Sequence, residues 1–376
     1  MTEVDLYNLE PLLELMAVGL AVAALPLGWW LWKQRSASAS GRLKALTLIT
    51  LFFFFFLVLF GAFTRLTDSG LGCPDWPGCY GSATPIGAKA EIKAAETAMP
   101  TGPVTKSKAW IEMVHRYLAT GVGVLILTLA AMTWWLRRQS REVSPWLPTL
   151  TLIWVCMQGA FGALTVTMKL FPAIVTLHLM GGIGLLVLLM AQAVRYDGAG
   201  TRPLPSPLRT GLWAGFVLLC LQIALGGWVS TNYAVLACPD FPTCYGQWVP
   251  EMNWQGFSVW RELGYTPTGE LLPFASLVSI HFVHRSAAWV VLAVLLWVGW
   301  RLRLQPGLAV AGRWLLGLCA LQFATGLSNV VLGWPLLAAV MHTGGAAAMA
   351  LTLTWALSVS RVDNSGSPVL SKKLAE

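Results

Sequence analysis

Four histidines stand in duplicated positions in this chain, each in or beside an apolar run. His115-Arg116 recurs as His284-Arg285, and His178 recurs as His342. A neutral imidazole is a common metal ligand. A lone histidine in an apolar span is often only a hydrogen-bonded helix contact. Four in repeated positions, two per repeat, read instead as ligands, because ionisable groups in such spans carry function. Two imidazoles facing each other suit a haem iron with two axial ligands. Zinc would usually want four ligands, and no further cysteine or carboxylate converges at the same depth. His115 and His284 are expected at the outer ends of their helices, and His178 and His342 about two turns in from theirs.

The two copies differ at one chemically telling position. The first reads Glu112-Met-Val-His115-Arg116 and the second His281-Phe-Val-His284-Arg285. A spacing of i, i+3 puts Glu112 on the helix face of His115. One site thus keeps a group able to carry protons, and the other has an imidazole there. The alternative is that Glu112 only pairs with Arg116 or a loop lysine. Arg116 and Arg285, planar and permanently charged, are placed to meet carboxylates such as haem propionates. Arg65 has no counterpart in the second copy, where Ser230 aligns with it, and is expected to serve the first site alone.

A nine-residue block also recurs: Cys73-Pro-Asp-Trp-Pro-Gly-Cys-Tyr-Gly81 and Cys238-Pro-Asp-Phe-Pro-Thr-Cys-Tyr-Gly246. Each encloses a short loop on the face expected to be oxidising, so Cys73–Cys79 and Cys238–Cys244 are predicted disulfides, structural clasps or, as a second reading, redox groups. Cys156, Cys220 and Cys319 fall within spans as packing residues.

These residues need a frame, and the composition names it. Of 376 residues, 56% are hydrophobic and only 11% charged, which excludes an ordinary soluble domain. Nine runs are long enough to cross ~30 Å of hydrocarbon: 12–32, 43–64, 110–136, 146–168, 173–194, 210–230, 279–300, 314–332 and 335–360. The net charge of +8 does not point to nucleic acid, because the basic residues fall in every second loop. Lys33, Arg35, Arg42 and Lys44 follow the first span, Arg137, Arg138 and Arg141 the third, and Arg195, Arg202 and Arg209 the fifth. Arg301, Arg303 and Arg313 follow the seventh, and Arg361, Lys372 and Lys373 the last. The positive-inside rule puts these loops in the cytoplasm, and the N-terminal tail (Glu3, Asp5, Glu10) and both Cys loops outside. The first span is read as a retained helix rather than a signal peptide, because its leading tail is acidic. No Arg-rich transit sequence is present, which points to a bacterial inner membrane.

The expected fold is therefore an all-α integral membrane protein: two pseudo-symmetric four-helix bundles in parallel repeat, plus one extra N-terminal helix. The divisions are 1–42 for the extra helix and its loop, 43–195 for the first half, 196–208 for a Gly/Pro-rich linker, 209–360 for the second half and 361–376 for a cytoplasmic tail. Gly61 aligns with Gly226, Gln158 with Gln322, and the long outer loops 65–109 and 232–278 are expected to fold over the outer face.

In this ordered set the chain resembles the haem A synthase family. The resemblance rests on Thr64-Arg65-Leu-Thr-Asp-Ser-Gly-Leu-Gly72, both Cys-Pro-Asp-x-Pro-x-Cys blocks, Glu112-x-x-His115-Arg116, His281-x-x-His284-Arg285, His178 and His342, over about residues 43–360. It implies oxidation of a methyl group of haem O to the formyl group of haem A through two successive hydroxylations. It also implies haem b held by His284 and His342, haem O received near His115 and His178, and Glu112 important for turnover. Implied partners are membrane lipid, haem O synthase upstream, cytochrome oxidase assembly factors and an electron donor. The family core has eight spans, so the first span is an addition here. The rival readings are a dihaem electron-transfer protein of cytochrome b type and a small-anion transporter. A carboxylate at only one site argues against a pure relay, and four histidines near one face argue against a transporter.

Overall fold

In hydrocarbon every backbone amide and carbonyl must find its partner inside the segment, so an apolar run of 20 or more residues is forced into a helix. The computed structural model describes residues 6–139, 143–198 and 200–362. Glu3, Asp5, Arg141 and the tail with Lys372 and Lys373 lie outside the described residues. In chain order the elements are β1 (Tyr7–Asn8), α1 (Leu12–Lys33), α2 (Ala39–Leu66), β2 (Trp76–Pro77), α3 (Lys89–Ala98), α4 (Lys106–Gln139), α5 (Trp146–Thr167) and α6 (Pro172–Asp197). There follow β3 (Arg202–Leu204), α7 (Ser206–Thr231), a 3₁₀ turn at Trp254–Phe257, α8 (Phe274–Arg303), α9 (Ala309–Val331), α10 (Leu336–Ser358) and β4 (Ser360–Val362). Among the described residues, nine helices, all but α3, are long and apolar enough to span a membrane, and they match the nine expected runs. The protein is an all-α integral membrane protein.

Helices α2, α4, α5 and α6 pack in a ring, as do α7, α8, α9 and α10, while α2 against α10, α6 against α7 and α6 against α10 join the rings. The repeat reaches individual backbone angles. Asp68 and Tyr233 both have φ 53°, Tyr80 and Tyr245 have φ 50° and 54°, and Gly81 and Gly246 have φ 72° and 70°. Residues 165 positions apart also touch one another. Arg65 donates to the Ser230 carbonyl (2.6 Å), and the Tyr233 hydroxyl donates to Asp68 Oδ1 (2.5 Å). Only residues beside a local two-fold axis can meet their own equivalents, so that axis passes between the outer ends of α2 and α7.

Two differences from the sequence reading concern boundaries. The outer ends of α4 and α8 begin earlier than hydropathy indicated, because Lys106, Ser107 and Lys108 continue α4 and Phe274–Val278 continue α8 past the expected runs. His115 stands nine residues after Lys106 and His284 ten residues after Phe274, so neither is at a helix end. The segment between α6 and α7 is not plain linker: its β3 pairs in parallel with β4, tying it to the far end of α10.

The extra helix has a defined seat. α1 lies against α4, where Gly19 faces Thr120 and Gly121 faces Val22; a Cβ on either glycine would collide with that neighbour. Small residues of this kind let membrane helices approach closely. The arm before it carries β1 alongside β2 in the first Cys loop, and Tyr7 Oη meets Thr167 Oγ1 at 2.9 Å. Among the described residues, α1 and its arm thus brace the outer loop of the first ring and make no such pairing with the second Cys loop.

Inside the rings the halves diverge. Gln192 of α6 donates to Thr47 Oγ1 of α2 (3.2 Å) and accepts from Thr151 of α5 (3.4 Å), all three fully buried. The equivalent positions in the second ring are Ala356, Leu212 and Leu315, also fully buried. The first bundle is pinned by a polar layer at a level where the second has three apolar residues.

Candidate cofactor sites

Each of the four repeated histidines lies over a glycine of a neighbouring helix. A Cβ on Gly61 of α2 would come within 3.0 Å of His115 Cε1, and one on Gly226 of α7 within 3.0 Å of His284 Cε1. On the other side of each ring, a Cβ on Gly162 of α5 would stand 3.6 Å from His178 Cε1, and one on Gly326 of α9 3.2 Å from His342 Cε1. The bare glycine surface lets the imidazole lie against the neighbouring helix. His115 and His178 are close enough to interact electrostatically, as are His284 and His342, so each ring brings its two repeated histidines near one another. Phe60 stacks on His115, ring planes 7° apart at 6.3 Å.

The pairs differ in how their rings are held. Thr325 donates its hydroxyl proton to the Leu321 carbonyl (2.7 Å), so at 2.9 Å from His342 Nδ1 it accepts the imidazole N–H. The lone pair of His342 is then on Nε2. Gln222 holds His284 through Nδ1 (3.1 Å) and through its backbone carbonyl (3.0 Å). Gln222 Nε2 donates to the His284 carbonyl, its contact with Nδ1 depends on the imidazole tautomer, and Oε1 of Gln222 is buried without a partner. In the first ring, Nδ1 of His115 and of His178 are both buried with no hydrogen-bond partner in the protein. The Gln158 carbonyl approaches His178 without making a bond of proper geometry.

These features fit a haem. Each ring brings two imidazoles together, and in the second ring both Nδ1 atoms have a side-chain partner, which for His342 leaves Nε2 for a metal. Among the described residues no third histidine, cysteine or carboxylate joins either pair into a metal cluster, so a four-ligand ion has no complete site.

Glu112 is buried, and its two oxygens are divided. Oε2 accepts the Cys73 amide at 2.8 Å and Oε1 takes Arg116 Nη2 at 2.5 Å. In the second ring the Cys238 amide donates to Nδ1 of His281 at 3.2 Å. The same helix position therefore anchors the first cysteine of each outer loop, once by carboxylate and once by imidazole. The pairing of Glu112 with Arg116 is present, yet it takes only one of the two oxygens.

The three arginines expected to reach a haem are engaged elsewhere. Arg116 donates to the carbonyls of Pro77 (3.0 Å) and Gly78. Arg285 donates to those of Asp240 (2.9 Å), Pro242 (3.1 Å) and Thr243 (3.1 Å). Both clamp their Cys loop down onto the helix that carries the histidine. Arg65 reaches across the axis to Ser230 and lies over the Tyr233 ring at 4.2 Å.

Both expected disulfides are formed, Cys73–Cys79 and Cys238–Cys244, with all four residues fully buried. Inside each loop an aspartate collects amides: Asp75 from Tyr80 (2.6 Å) and Gly81 (2.7 Å), Asp240 from Tyr245 (2.7 Å) and Gly246 (2.9 Å). The Thr243 hydroxyl and these amides hold the Asp240 carboxyl down at about 2.

A sequence model of the COX15-CtaA family, described as cytochrome oxidase assembly protein, matches residues 44–354. The chain belongs to this family. A protein of Shewanella oneidensis named "Heme A synthase" is 39% identical over 323 residues, covering 83% of this chain and 94% of that protein. Relatives of the same name in Halalkalibacterium halodurans (27% identical; 80% of this chain, 91% of that one) and Methylobacterium nodulans (31%; 76% and 83%) are similar over most of their length. The family match begins inside α2 and ends inside α10, so it contains both rings and leaves α1 and its arm outside. Within it fall all four histidines, Glu112 and both disulfides. Gln222, Thr325, Gly162 and Gly326 were not singled out in the sequence; aligning the repeats at 164 or 165 residues pairs Gln222 with Leu57 and Thr325 with Phe161, which was the available signal.

Proposed function

We infer that this chain is a haem A synthase, an oxidoreductase converting the methyl group of haem O to the formyl group of haem A. The observation that carries this is the asymmetry between two otherwise matching histidine pairs, in a chain of the cytochrome oxidase assembly family. One pair has a buried carboxylate anchoring the loop above it, and the other has an imidazole at that place. The ring of residues 43–195 receives haem O between His115 and His178. The ring of residues 209–360 holds haem b through His284 and His342, with 196–208 between them. When bound, haem b supplies an electron-transfer centre.

The protein's own residues orient, enclose and carry protons. His115 and His178 fix the substrate macrocycle across the first ring. Arg116 and the Cys73–Cys79 loop close the outer end and limit water there. Two hydroxylations of one methyl carbon, each a two-electron oxidation that needs an external oxidant (with an electron donor as well where the oxidant is dioxygen), lead through an alcohol to a geminal diol, which loses water to become the formyl group. Collapse of the diol moves protons, and Glu112 is the carboxylate at that ring able to take and return them. Arg65 serves this ring by holding its outer end against the second ring.

The basic loops lie on one face, where Ser40 Oγ donates to the Tyr196 carbonyl and Lys44 pairs with Asp197, and the Cys loops lie on the other. With the basic face in the cytoplasm, the N-terminus is outside, the tail 361–376 is inside, and both haems lie toward the outer leaflet of a bacterial inner membrane. Haem O synthase is the upstream partner, cytochrome oxidase assembly factors receive the product, and a separate donor accounts for the electrons.

The deciding experiment is extraction and mass identification of the haems bound to purified protein, with and without co-expressed haem O synthase. Haem b in both, with haem O or haem A appearing on co-expression, is the expected result. Haem b alone under both conditions means an electron relay and overturns the assignment. A His284→Ala protein that keeps an unchanged bis-histidine spectrum overturns the ligand set.

A further inference from the structure

The second ring grips its histidines by Nδ1 and the first ring does not. Thr325 accepts from His342, and Gln222 engages His284 at both ring and backbone. At the equivalent places stand Leu57 and Phe161, which have no hydrogen-bonding side-chain atom, and both Nδ1 atoms of the first pair are left without partners. The difference is confined to these supports. The histidines, the glycines beneath them and Gln158/Gln322 are the same in both rings. A partner on the distal imidazole nitrogen fixes ring orientation, sets the tautomer and makes the ligating nitrogen more basic; its loss typically lowers metal affinity about 10- to 100-fold.

We propose that Gln222 and Thr325 are positioning residues that make the second haem site permanent, and that Leu57 and Phe161 keep the first site exchangeable. The proposal rests on the assignment of haem b to the second ring and substrate to the first. A substrate site must release its product every cycle, whereas a resident cofactor must not leave. The polar layer of Gln192, Thr47 and Thr151 agrees with this division: a ring that is emptied each cycle is held together by contacts between its own helices.

The test uses the full-length protein in detergent and follows transfer of haem b to excess apomyoglobin, with low-spin ferric EPR as a second readout. Thr325→Val and Gln222→Leu should each speed haem loss about 10-fold or more and shift the EPR g-values, because the imidazole loses the side chain that orients it. Thr325→Ser, which keeps the hydroxyl, should restore both. In the opposite direction, Leu57→Gln should increase the haem O and haem A that co-purify with the protein, and it supplies the test if the second-ring variants do not fold. Wild-type transfer rates and EPR signals in Thr325→Val and Gln222→Leu, or unchanged haem O and haem A in Leu57→Gln, overturn the proposal. The control His284→Ala separates the two failures. If it loses haem b while the support variants are unaffected, only this inference falls; if it keeps haem b unchanged, the underlying assignment falls first.

Discussion

Glu112 has two tasks in the structure, anchoring a loop and offering a carboxylate, and the second repeat shows how to separate them. At position 281 an imidazole already accepts the cysteine amide, at 3.2 Å against 2.8 Å for the carboxylate. Glu112→His therefore keeps an acceptor for Cys73 and removes the carboxylate. Glu112→Gln keeps the volume and one acceptor oxygen but loses the charge that faces Arg116. The structural cost is bounded, because a charge-assisted hydrogen bond contributes about 1.5–3 kcal/mol. The loop also retains its disulfide and the bonds of Arg116 to Pro77 and Gly78. The chemical cost is larger. Loss of a positioned acid–base group slows a proton-dependent step about 10²- to 10⁴-fold, roughly 3 to 5 kcal/mol of barrier at 1.36 kcal/mol per decade. Both variants should fold, keep the haem b spectrum and accumulate haem O or its hydroxylated form, read by mass analysis of extracted haems. Normal haem A yield from Glu112→His would show that the loop anchor is all that position 112 supplies, and the proton-carrier argument would be refuted.

The glycine seats give a second pair of expectations. Gly226→Ala should lower haem b content per protein, because a Cβ 3.0 Å from His284 Cε1 forces the imidazole aside at about 1–3 kcal/mol for overpacking; Gly61→Ala should leave haem b intact and reduce haem A. The absorbance ratio of haem to protein, with extracted haem yields, separates the two, and an equal loss in both variants would count against distinct sites. Gln192→Leu removes the polar layer of the first ring but leaves Thr47 and Thr151 bonded to the carbonyls of Leu43 and Leu147. The loss should be about 0.6–1.7 kcal/mol, measured by unfolding in mixed detergent, with haem b retained; loss of haem b would show that the layer serves both rings.

The frame was legible because each segment stated its own constraint. Hydrophobic length located nine helices, and the Cys-Pro-Asp blocks marked the duplication. Legibility failed where polar residues extend a helix beyond hydrocarbon. Lys106, Ser107 and Lys108 continue α4 outward, so His115 lies deeper along its helix than the apolar run indicated. The carbonyl partners of the arginines were not legible either. Their charge pointed to an anion, but carbonyls turned inward by the Cys loops satisfy a guanidinium as well. Loop conformation is set by a buried aspartate collecting amides five and six residues on, and a one-dimensional reading has no measure of that.

The duplication itself explains why function is written in differences rather than motifs. Two rings built on one plan share the features proposed to receive a haem: paired histidines, glycines that seat them, and a loop anchored over the outer end. Features common to both therefore cannot distinguish a resident cofactor from a substrate. The distinguishing residues are those where the repeats disagree within an otherwise matched environment: Glu112 against His281, Leu57 against Gln222, Phe161 against Thr325, and Gln192 against Ala356. All four differences act in one direction. The first ring has the carboxylate and the interhelical polar contacts and lacks the imidazole supports. The second has the supports, and apolar residues where the first has its Gln192 layer. A bundle that must open and refill needs contacts independent of its occupant, and one that keeps its haem can let the haem hold it together.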